Sequence, residues 1–182
     1  MKKLKEQDKT KIFFYFAAIL TVIAIILMFF VDIKVVVTGL LFLLLVIGYT
    51  IYREKIGQEL LVAFIMALTI TSYHFYEYTT PNLYFGKINL FPLVCWTFGL
   101  VFLREIYEKV KIKQKFLITS IIYVIILFIT EYVGYYLLGI RLSSNYSSLL
   151  GLGIIHAPLF MKLFYVFAGP VYLLITNYLK VK

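Results

Sequence analysis

Three ionisable side chains in or beside long apolar runs could take part in proton transfer. Glu131 lies in the segment FITEYVGYY, and His74 and Glu77 lie in TSYHFYEYTTPN. An ionisable side chain inside a bilayer costs about 2.5–3.5 kcal/mol even on lenient insertion scales, so its presence requires a partner or a function. Carboxylates and imidazoles are also common general acids and bases. Glu131, Glu77 and His74 are therefore the candidate catalytic residues, and acid–base chemistry is the reaction type.

The spacing of His74 and Glu77 predicts a shared face if the helix continues to Tyr78, because residues three apart are neighbours on a helix. In that arrangement the carboxylate would fix the tautomer of the imidazole. The alternative is that both side chains are solvated where the membrane gives way to water. Which of the two applies depends on whether His74 points into the bundle.

Glu131 and Lys162 are expected at a similar depth in the membrane. Glu131 precedes the end of its apolar run by about eight residues, and Lys162 follows the start of the next run by about eight, which corresponds to about 12 Å in each case. Adjacent antiparallel helices would then present an acid and a base to each other. This pair is either a structural ion pair or a proton-handling acid beside an ammonium group.

Other polar and aromatic residues are expected in the same layer of the membrane and form the candidate substrate-binding set. They are Lys162, Arg141, His156, Tyr135, Asn89 and Trp96. Eight of the sixteen tyrosines flank the two longest connections between apolar runs, Thr79–Lys87 and Gly139–Gly153. This distribution is typical of an aromatic belt at the lipid headgroups. It also fits a ring-lined cavity for a prenyl chain, in which the rings could stabilise positive charge.

The sequence predicts neither a metal site nor a cofactor. His74 and Glu77 form an HxxE pattern that is looser than the zinc-binding HExxH pattern. No GxSxG, Walker or dinucleotide-binding glycine pattern is present, which excludes the commonest hydrolase, nucleotide and dinucleotide classes. Cys95 is the sole cysteine, so two-cysteine redox chemistry is excluded as well.

The elements that must position these residues are membrane-spanning helices. Of 182 residues, 63% are apolar and 15% are charged, which is far from the balance of a soluble domain. The apolar runs are each about as long as the ~20 residues that a helix needs to cross a bilayer. We predict one all-α membrane domain, residues 1–182, with six spans at about 12–31, 35–52, 58–78, 88–107, 116–138 and 154–179. The short connections favour antiparallel neighbours in one bundle.

The distribution of basic residues predicts a cell-membrane protein with both termini in the cytoplasm. An even number of spans places the termini on one side, and fourteen of the eighteen Lys and Arg residues belong to that side, as the positive-inside rule requires. A net charge of +9 then indicates an interaction with anionic lipid headgroups rather than with nucleic acid. The expected partners are therefore membrane lipids.

The segment from Tyr76 to Trp96 resembles polytopic membrane proteins of carotenoid and terpenoid biosynthesis. It contains YEYT, a loop with a glycine, and then FPLVCW, about twenty residues in all, although the acidic motif typical of lycopene cyclases is absent. In that family acidic residues protonate an isoprenoid double bond. The resemblance implies that Glu131 or Glu77 is the general acid, His74 a proton relay, and Tyr135 and Trp96 wall residues.

The resulting hypothesis is acid–base chemistry on a lipid-soluble, isoprenoid-like substrate without a redox cofactor. Two alternatives remain open at this point. One is a small-molecule carrier or the substrate-binding subunit of a transporter, since six helices with an outward-facing polar pocket suit such a module. The other is an accessory protein that binds a membrane partner protein through its basic loops.

Overall fold

The computed structural model describes residues 6–72, 76–79 and 82–181 of the chain. Its helices are α1 (Glu6–Leu27), α2 (Ile33–Tyr52), α3 (Ile56–Thr71), α4 (Leu90–Lys109), α5 (Lys115–Tyr132) and α6 (Leu159–Val181). Strands β1 (Tyr84–Phe85) and β2 (Ile88–Asn89) form a short antiparallel hairpin before α4. A π-helical turn, Val133–Leu137, follows α5, and a 3₁₀ turn, Leu149–Gly151, precedes α6. Apart from the hairpin, the fold is all-helical, as predicted.

Helices α2 and α3 are two arms of one helical stretch, Ile33–Thr71, that is broken at Tyr52, where φ is −118° and ψ is 25°. An unbroken helix of 39 residues would be about 58 Å long, which would keep Lys34 far from the residues that follow Thr71. In the structure the Lys34 ammonium lies 5.0 Å from the centre of the Tyr78 ring. The chain therefore reverses direction after Tyr52, and α2 and α3 run antiparallel.

Five helical segments are long and apolar enough to cross a membrane: Asp8–Leu27, Ile33–Tyr52, Leu90–Lys109, Lys115–Leu137 and Leu159–Lys180. Helix α3 is apolar but shorter. These segments indicate a multi-pass membrane protein. Large apolar side chains on α1, such as Phe14, point away from the rest of the chain, as contact with lipid requires.

Besides α1, which begins six residues and ends four residues before its predicted span at 12–31, two helix boundaries differ markedly from the sequence prediction. The span predicted at 58–78 ends at Thr71, and the last turn is closed by Ser72 N, which donates to Leu68 O at 3.0 Å. The span predicted at 154–179 begins at Leu159, because the preceding residues form the 3₁₀ turn and an irregular segment. Both differences fall where the long connections meet the helices.

The described residues of the two long connections, 72–89 and 138–158, lie at one end of the bundle, which we call the long-loop end. They are joined by an antiparallel bridge between Tyr78 and Leu142. Thr79 N donates to Arg141 O at 2.9 Å, and Ser143 N donates to Glu77 O at 2.7 Å. The opposite end carries the lysine-rich connection 110–114, and we call it the basic end.

The core lies between α3, α4, α5 and α6. One buried cluster includes Ala63, Leu100, Tyr123 and Tyr172. A second cluster, toward the long-loop end, includes Ile70, Tyr76, Ile155, Met161 and Tyr165. Tyr76 and Ile155 come from the two long connections, so both connections fold back into the bundle and help to build its interior.

Candidate functional site

A row of hydrogen-bonded side chains crosses the bundle below the long-loop end and finishes at Glu131. Trp96 Nε1 donates to the Tyr76 hydroxyl at 2.7 Å, and the Tyr76 hydroxyl lies 3.4 Å from the Tyr165 hydroxyl, to which it donates. The Glu131 carboxyl lies next to the Tyr165 hydroxyl, which can donate to it. We call Trp96, Tyr76, Tyr165 and Glu131 the tyrosine row. Trp96 donates to Tyr76 and Tyr76 donates to Tyr165, and the Glu131 carboxyl is placed to accept at the end of the row.

Asn89 holds Tyr76 in the row. Its Oδ1 accepts from Phe91 N at 3.2 Å and caps the first turn of α4. Its Nδ2 donates to Tyr76 O at 2.9 Å and to Asn82 Oδ1 at 3.0 Å. Asn89 is buried, so its contacts fix the extended segment that carries Tyr76. Asn89 therefore has a positioning role among the predicted substrate-binding residues.

Tyr165 is fixed from two sides. Its ring packs edge-on against Trp96 with a centroid distance of 4.9 Å. Its carbonyl accepts a hydrogen bond from the hydroxyl of Tyr123 on α5. Since Glu131 also lies on α5, the same pair of helices sets the position of the acid and of its tyrosine partner.

Lys162 does not make the predicted contact with Glu131. Its ammonium donates to Ser147 Oγ at 3.0 Å and to Ser148 O at 3.3 Å. Because α6 begins at Leu159, Lys162 lies in its first turn and reaches toward the long-loop end rather than across to α5. The carboxyl and the ammonium are thus held by different partners.

Glu77 lies beyond the helix that was predicted to carry it, since that helix ends at Thr71. Glu77 is exposed in an extended segment, and its carbonyl bonds to Ser143 N in the bridge between the connections. His74 lies outside the described residues. Of the three candidate catalytic residues, Glu131 is the one that the structure places among buried side chains.

Three predicted binding residues meet above the tyrosine row. The Tyr135 ring stacks on the His156 ring with a centroid distance of 4.2 Å and an angle of 17°. The Arg141 guanidinium lies 4.6 Å from the centre of the Tyr135 ring, and Arg141 Nε donates to Tyr135 O at 3.3 Å. These three residues line a cleft of about 250 Å³, the long-loop cleft, together with Thr79, Leu142, Ser143, Ser144, Asn145 and Tyr146.

The electrostatic environment of the long-loop cleft is positive. The pKa of His156 is lowered, chiefly because burial disfavours its charged form and also because Lys162 and Arg141 repel a further proton. The preceding residue, Ile155, is fully buried at a φ of 54°, which is rare for a β-branched residue. Such a conformation persists only where the surroundings determine it, so the segment that presents His156 is firmly placed.

A second polar group, at the basic end, was not predicted from the sequence. Arg104 Nη2 lies 2.7 Å from Glu108 Oε1, and Arg104 Nε lies 3.5 Å from Glu59 Oε1. Lys180 Nζ contacts the same two carboxylates, at 2.8 Å from Glu59 and 3.1 Å from Glu108. Arg104 Nη1 also donates to Asn177 Oδ1 at 2.6 Å. We call these five residues the basic-end cluster; it joins α3, α4 and α6.

Within the part of the chain that the structure describes, no three His, Cys, Asp or Glu side chains come together as a metal site. Comparison with protein-family models, with curated proteins and with solved structures finds no match to this chain. A function for the chain is therefore inferred from the geometry of the tyrosine row and of the long-loop cleft.

The central role of Tyr76 and Tyr165 was not apparent in the sequence. Tyr76 belongs to a tyrosine-rich stretch that fits an aromatic belt equally well, and Tyr165 lies in the apolar run KLFYVF without a distinguishing neighbour. The one signal in the sequence is that a buried tyrosine hydroxyl needs a hydrogen-bond partner. This requirement does not identify the partner residue.

Proposed function

We propose that the chain is a six-span protein of the cell membrane with both termini in the cytoplasm and the long-loop end outside. The support is the even number of described helices, with α3 as the shortest span, and the concentration of lysines at the basic end.

Single cysteines in a Cys95→Ser background test this topology. A membrane-impermeant maleimide applied to intact cells should label Lys87→Cys, which lies in the exposed turn of the hairpin. Lys111→Cys, at the basic end, should react only after permeabilisation. The reverse pattern would contradict the orientation.

We propose further that this protein performs acid–base chemistry on a lipid-soluble, isoprenoid-like substrate, with Glu131 as the acid. The observation that carries this proposal is the tyrosine row, in which Trp96 donates to Tyr76, Tyr76 donates to Tyr165, and the Glu131 carboxyl lies next to the Tyr165 hydroxyl. A hydroxyl in that position stabilises the carboxylate that forms when the acid gives up its proton.

Glu131 is accessible to an apolar substrate from the side of the bundle. It is half-buried on α5, and its neighbours Ile129 and Tyr132 are exposed to the surroundings of the helix. In a bilayer those surroundings are hydrocarbon. An isoprenoid chain can therefore approach the carboxyl group without passing through water.

The reaction needs no oxidant or reductant. The Glu131 O–H gives its proton to one carbon of a C=C bond, whose π electrons form the new C–H bond and leave a cation on the neighbouring carbon. Aromatic faces near the row, including Trp96, stabilise such a cation. The carboxylate then removes a proton from an adjacent carbon, which forms a new C=C bond and restores the acid.

The test is to purify the protein in mild detergent and to identify its bound lipids by mass spectrometry, with and without Glu131→Gln. A discrete polyisoprenoid that accumulates or changes mass in Glu131→Gln is the expected result. Glu77→Gln is the matched control, since Glu77 is an exposed acid at the same end, and its lipids should equal those of the wild type. If all three samples carry only bulk phospholipid, the proposal is wrong, and a carrier or an accessory protein with a membrane partner fits the chain better.

A further inference from the structure

We propose that the long-loop cleft is a binding site for a phosphate-type anion, either a lipid headgroup or a free phosphate. This site goes beyond the chemistry proposed for Glu131 and does not depend on it. Four features support it: the charge of the cleft, the placement of Arg141, the size of the cleft and its position next to the tyrosine row.

The residues that line the cleft provide hydrogen-bond donors and positive charge, and none of them is an acid. Arg141 contributes the cation, and Thr79, Ser143, Ser144, Asn145 and Tyr146 contribute hydroxyl and amide groups. Lys162 lies behind the wall, bonded to Ser147 and Ser148. Glu77, the acid opposite Ser143 in the bridge, is not part of the lining.

Arg141 is held in place by the hydrogen bond of its own Nε and by the face of the Tyr135 ring. Its Nε bonds to Tyr135 O, and its guanidinium lies over the Tyr135 ring, which His156 supports by stacking. Among the described residues no carboxylate pairs with Arg141. Its two terminal nitrogens are thus available to an oxyanion in the forked geometry that phosphates favour.

The volume of the cleft suits a small group rather than a whole lipid. At about 250 Å³ it is smaller than the pockets of about 300–1,000 Å³ that enclose drug-sized ligands. A phosphate or diphosphate fits this space. Any attached chain would have to leave the cleft.

The position of Tyr135 shows where such a chain would go. Tyr135 follows Glu131 by four residues, so the two lie about one helical turn apart on neighbouring parts of the same helix face. A lipid whose headgroup occupies the cleft would place its first carbon atoms beside the tyrosine row. The cleft therefore suits a headgroup particularly well, while its donors also suit inorganic phosphate.

The experiment measures anion binding by the full-length chain, delipidated in an uncharged detergent. Thermal unfolding is followed during titration with inorganic phosphate, and native mass spectrometry compares bound phosphatidic acid with phosphatidylcholine. A ligand that binds the folded state raises the unfolding temperature by mass action. We expect stabilisation by phosphate, retention of phosphatidic acid, or both, and little retention of phosphatidylcholine.

Variants distinguish a built site from general attraction to positive charge. Arg141→Gln should weaken binding of the anion by at least about tenfold, in line with the loss of a charge-assisted bidentate contact. Lys87→Gln removes one exposed cation from the same end and should change the affinity less than about twofold, as a solvated charge outside the cleft does. Arg141→Lys keeps the charge, loses the fork, and should fall between the two; it also serves if Arg141→Gln does not fold.

The possible outcomes separate the two sources of the anion. Retention of phosphatidic acid without stabilisation by inorganic phosphate assigns the cleft to a headgroup, and equal responses to both assign it to soluble anions as well. No response of the wild type to either probe, or equal losses in Arg141→Gln and Lys87→Gln, overturns the proposal. Because the assay reads binding alone, it can succeed even if the lipids of the wild type and Glu131→Gln prove identical.

Discussion

Tyr165 occupies the centre of the tyrosine row, between the Tyr76 hydroxyl and the Glu131 carboxyl. A buried hydroxyl that loses its partner keeps the cost of leaving water without the gain of a hydrogen bond. Removal of the Tyr165 hydroxyl therefore affects two neighbours at once. This makes it the most informative single atom of the row.

Tyr165→Phe should lower the free energy of unfolding by about 1–3 kcal/mol, because it removes the acceptor of the Tyr76 hydroxyl and the donor next to Glu131, and Tyr76 keeps only the bond from Trp96. The measurement is thermal or denaturant unfolding in detergent. The control is Tyr15→Phe, which removes a hydroxyl from a side chain that is exposed on α1 and should have no measurable effect. Equal stability of the two variants would mean that the row is not held together by these hydrogen bonds.

His156 should make the protein less stable as the pH falls below neutrality. Its pKa in the folded protein is lowered by burial and by Lys162 and Arg141, which are the charged groups that act on it. The unfolded chain, with an ordinary histidine pKa of about 6.5, therefore binds a proton first. Stability is then lost as the pH falls through that value, since the unfolded state takes up more protons.

The measurement is the unfolding temperature between pH 7.5 and pH 5.5, for the wild type and His156→Gln. The wild type should show a steeper decline, and the difference between the two curves isolates the imidazole. Parallel curves would assign the pH dependence to other groups. Addition of phosphate should reduce the decline if the long-loop cleft is occupied, because an anion offsets the repulsion between His156 and the two cations.

At the residue scale, the sequence indicated that Glu131 needed a partner but did not identify the correct residue. The prediction of Lys162 rested on equal depths in adjacent helices, and the irregular segment before Leu159 shifts Lys162 toward the long-loop end. Rotation and offset of helices in lipid are set by packing. A hydrophobic pattern does not encode that packing.

Among the elements, α5 and α6 approach each other closely at Gly169. A Cβ atom on Gly169 would lie 2.6–2.8 Å from atoms of the Tyr123 ring, so only glycine permits this contact. Pro170 follows and cannot donate to the helical ladder. The Tyr123 hydroxyl also donates to Tyr165 O, in the turn of α6 before Gly169.

Gly169→Ala should destabilise the protein by about 1–3 kcal/mol, the usual cost of overpacking a tight contact. Gly99→Ala is the matched control: Gly99 is also helical, in α4, and a Cβ atom there meets nothing within 4 Å. It should be neutral or stabilising by up to about 1 kcal/mol, since alanine favours a helix. If both variants unfold at the wild-type midpoint, Tyr123 is free to move and the contact is not close-packed.

Helix types and most boundaries could be predicted because an apolar run of about twenty residues matches the length that a membrane-spanning helix requires. The failure at 72–78 has a specific cause. The aromatic residues of that segment continue the apolar run, yet Tyr76 is buried by an extended chain that folds back into the bundle. Composition alone does not distinguish that arrangement from a further helical turn.

Across the whole molecule, different kinds of polar contact stabilise the two ends of the bundle. At the long-loop end the two connections pair with each other, and at the basic end charged side chains of α3, α4 and α6 form one network. Arg104 and Glu59 are both buried, so each depends on its partners there. The basic end of the bundle thus holds a polar network that the sequence did not predict.

Arg104→Gln should destabilise the protein by about 3 kcal/mol, because loss of one partner leaves a buried carboxylate less well compensated. Lys109→Gln removes a cation from an exposed position at the same end of α4 and should have little effect. Comparison of their unfolding midpoints in detergent tests the network. A smaller loss in Arg104→Gln than in Lys109→Gln would show that Lys180 alone satisfies both acids.

The tyrosine row is assembled from distant parts of the chain. Tyr76 and its partner Tyr165 are separated by 89 positions, and Glu131 is synthesised between them. During biosynthesis α5 reaches the membrane before α6, so the Glu131 carboxyl arrives there ahead of Tyr165. Glu131 is therefore in the membrane without Tyr165 until the last helix docks. A chain that stalls before α6 would expose an unpaired polar group to the quality-control proteases of the membrane.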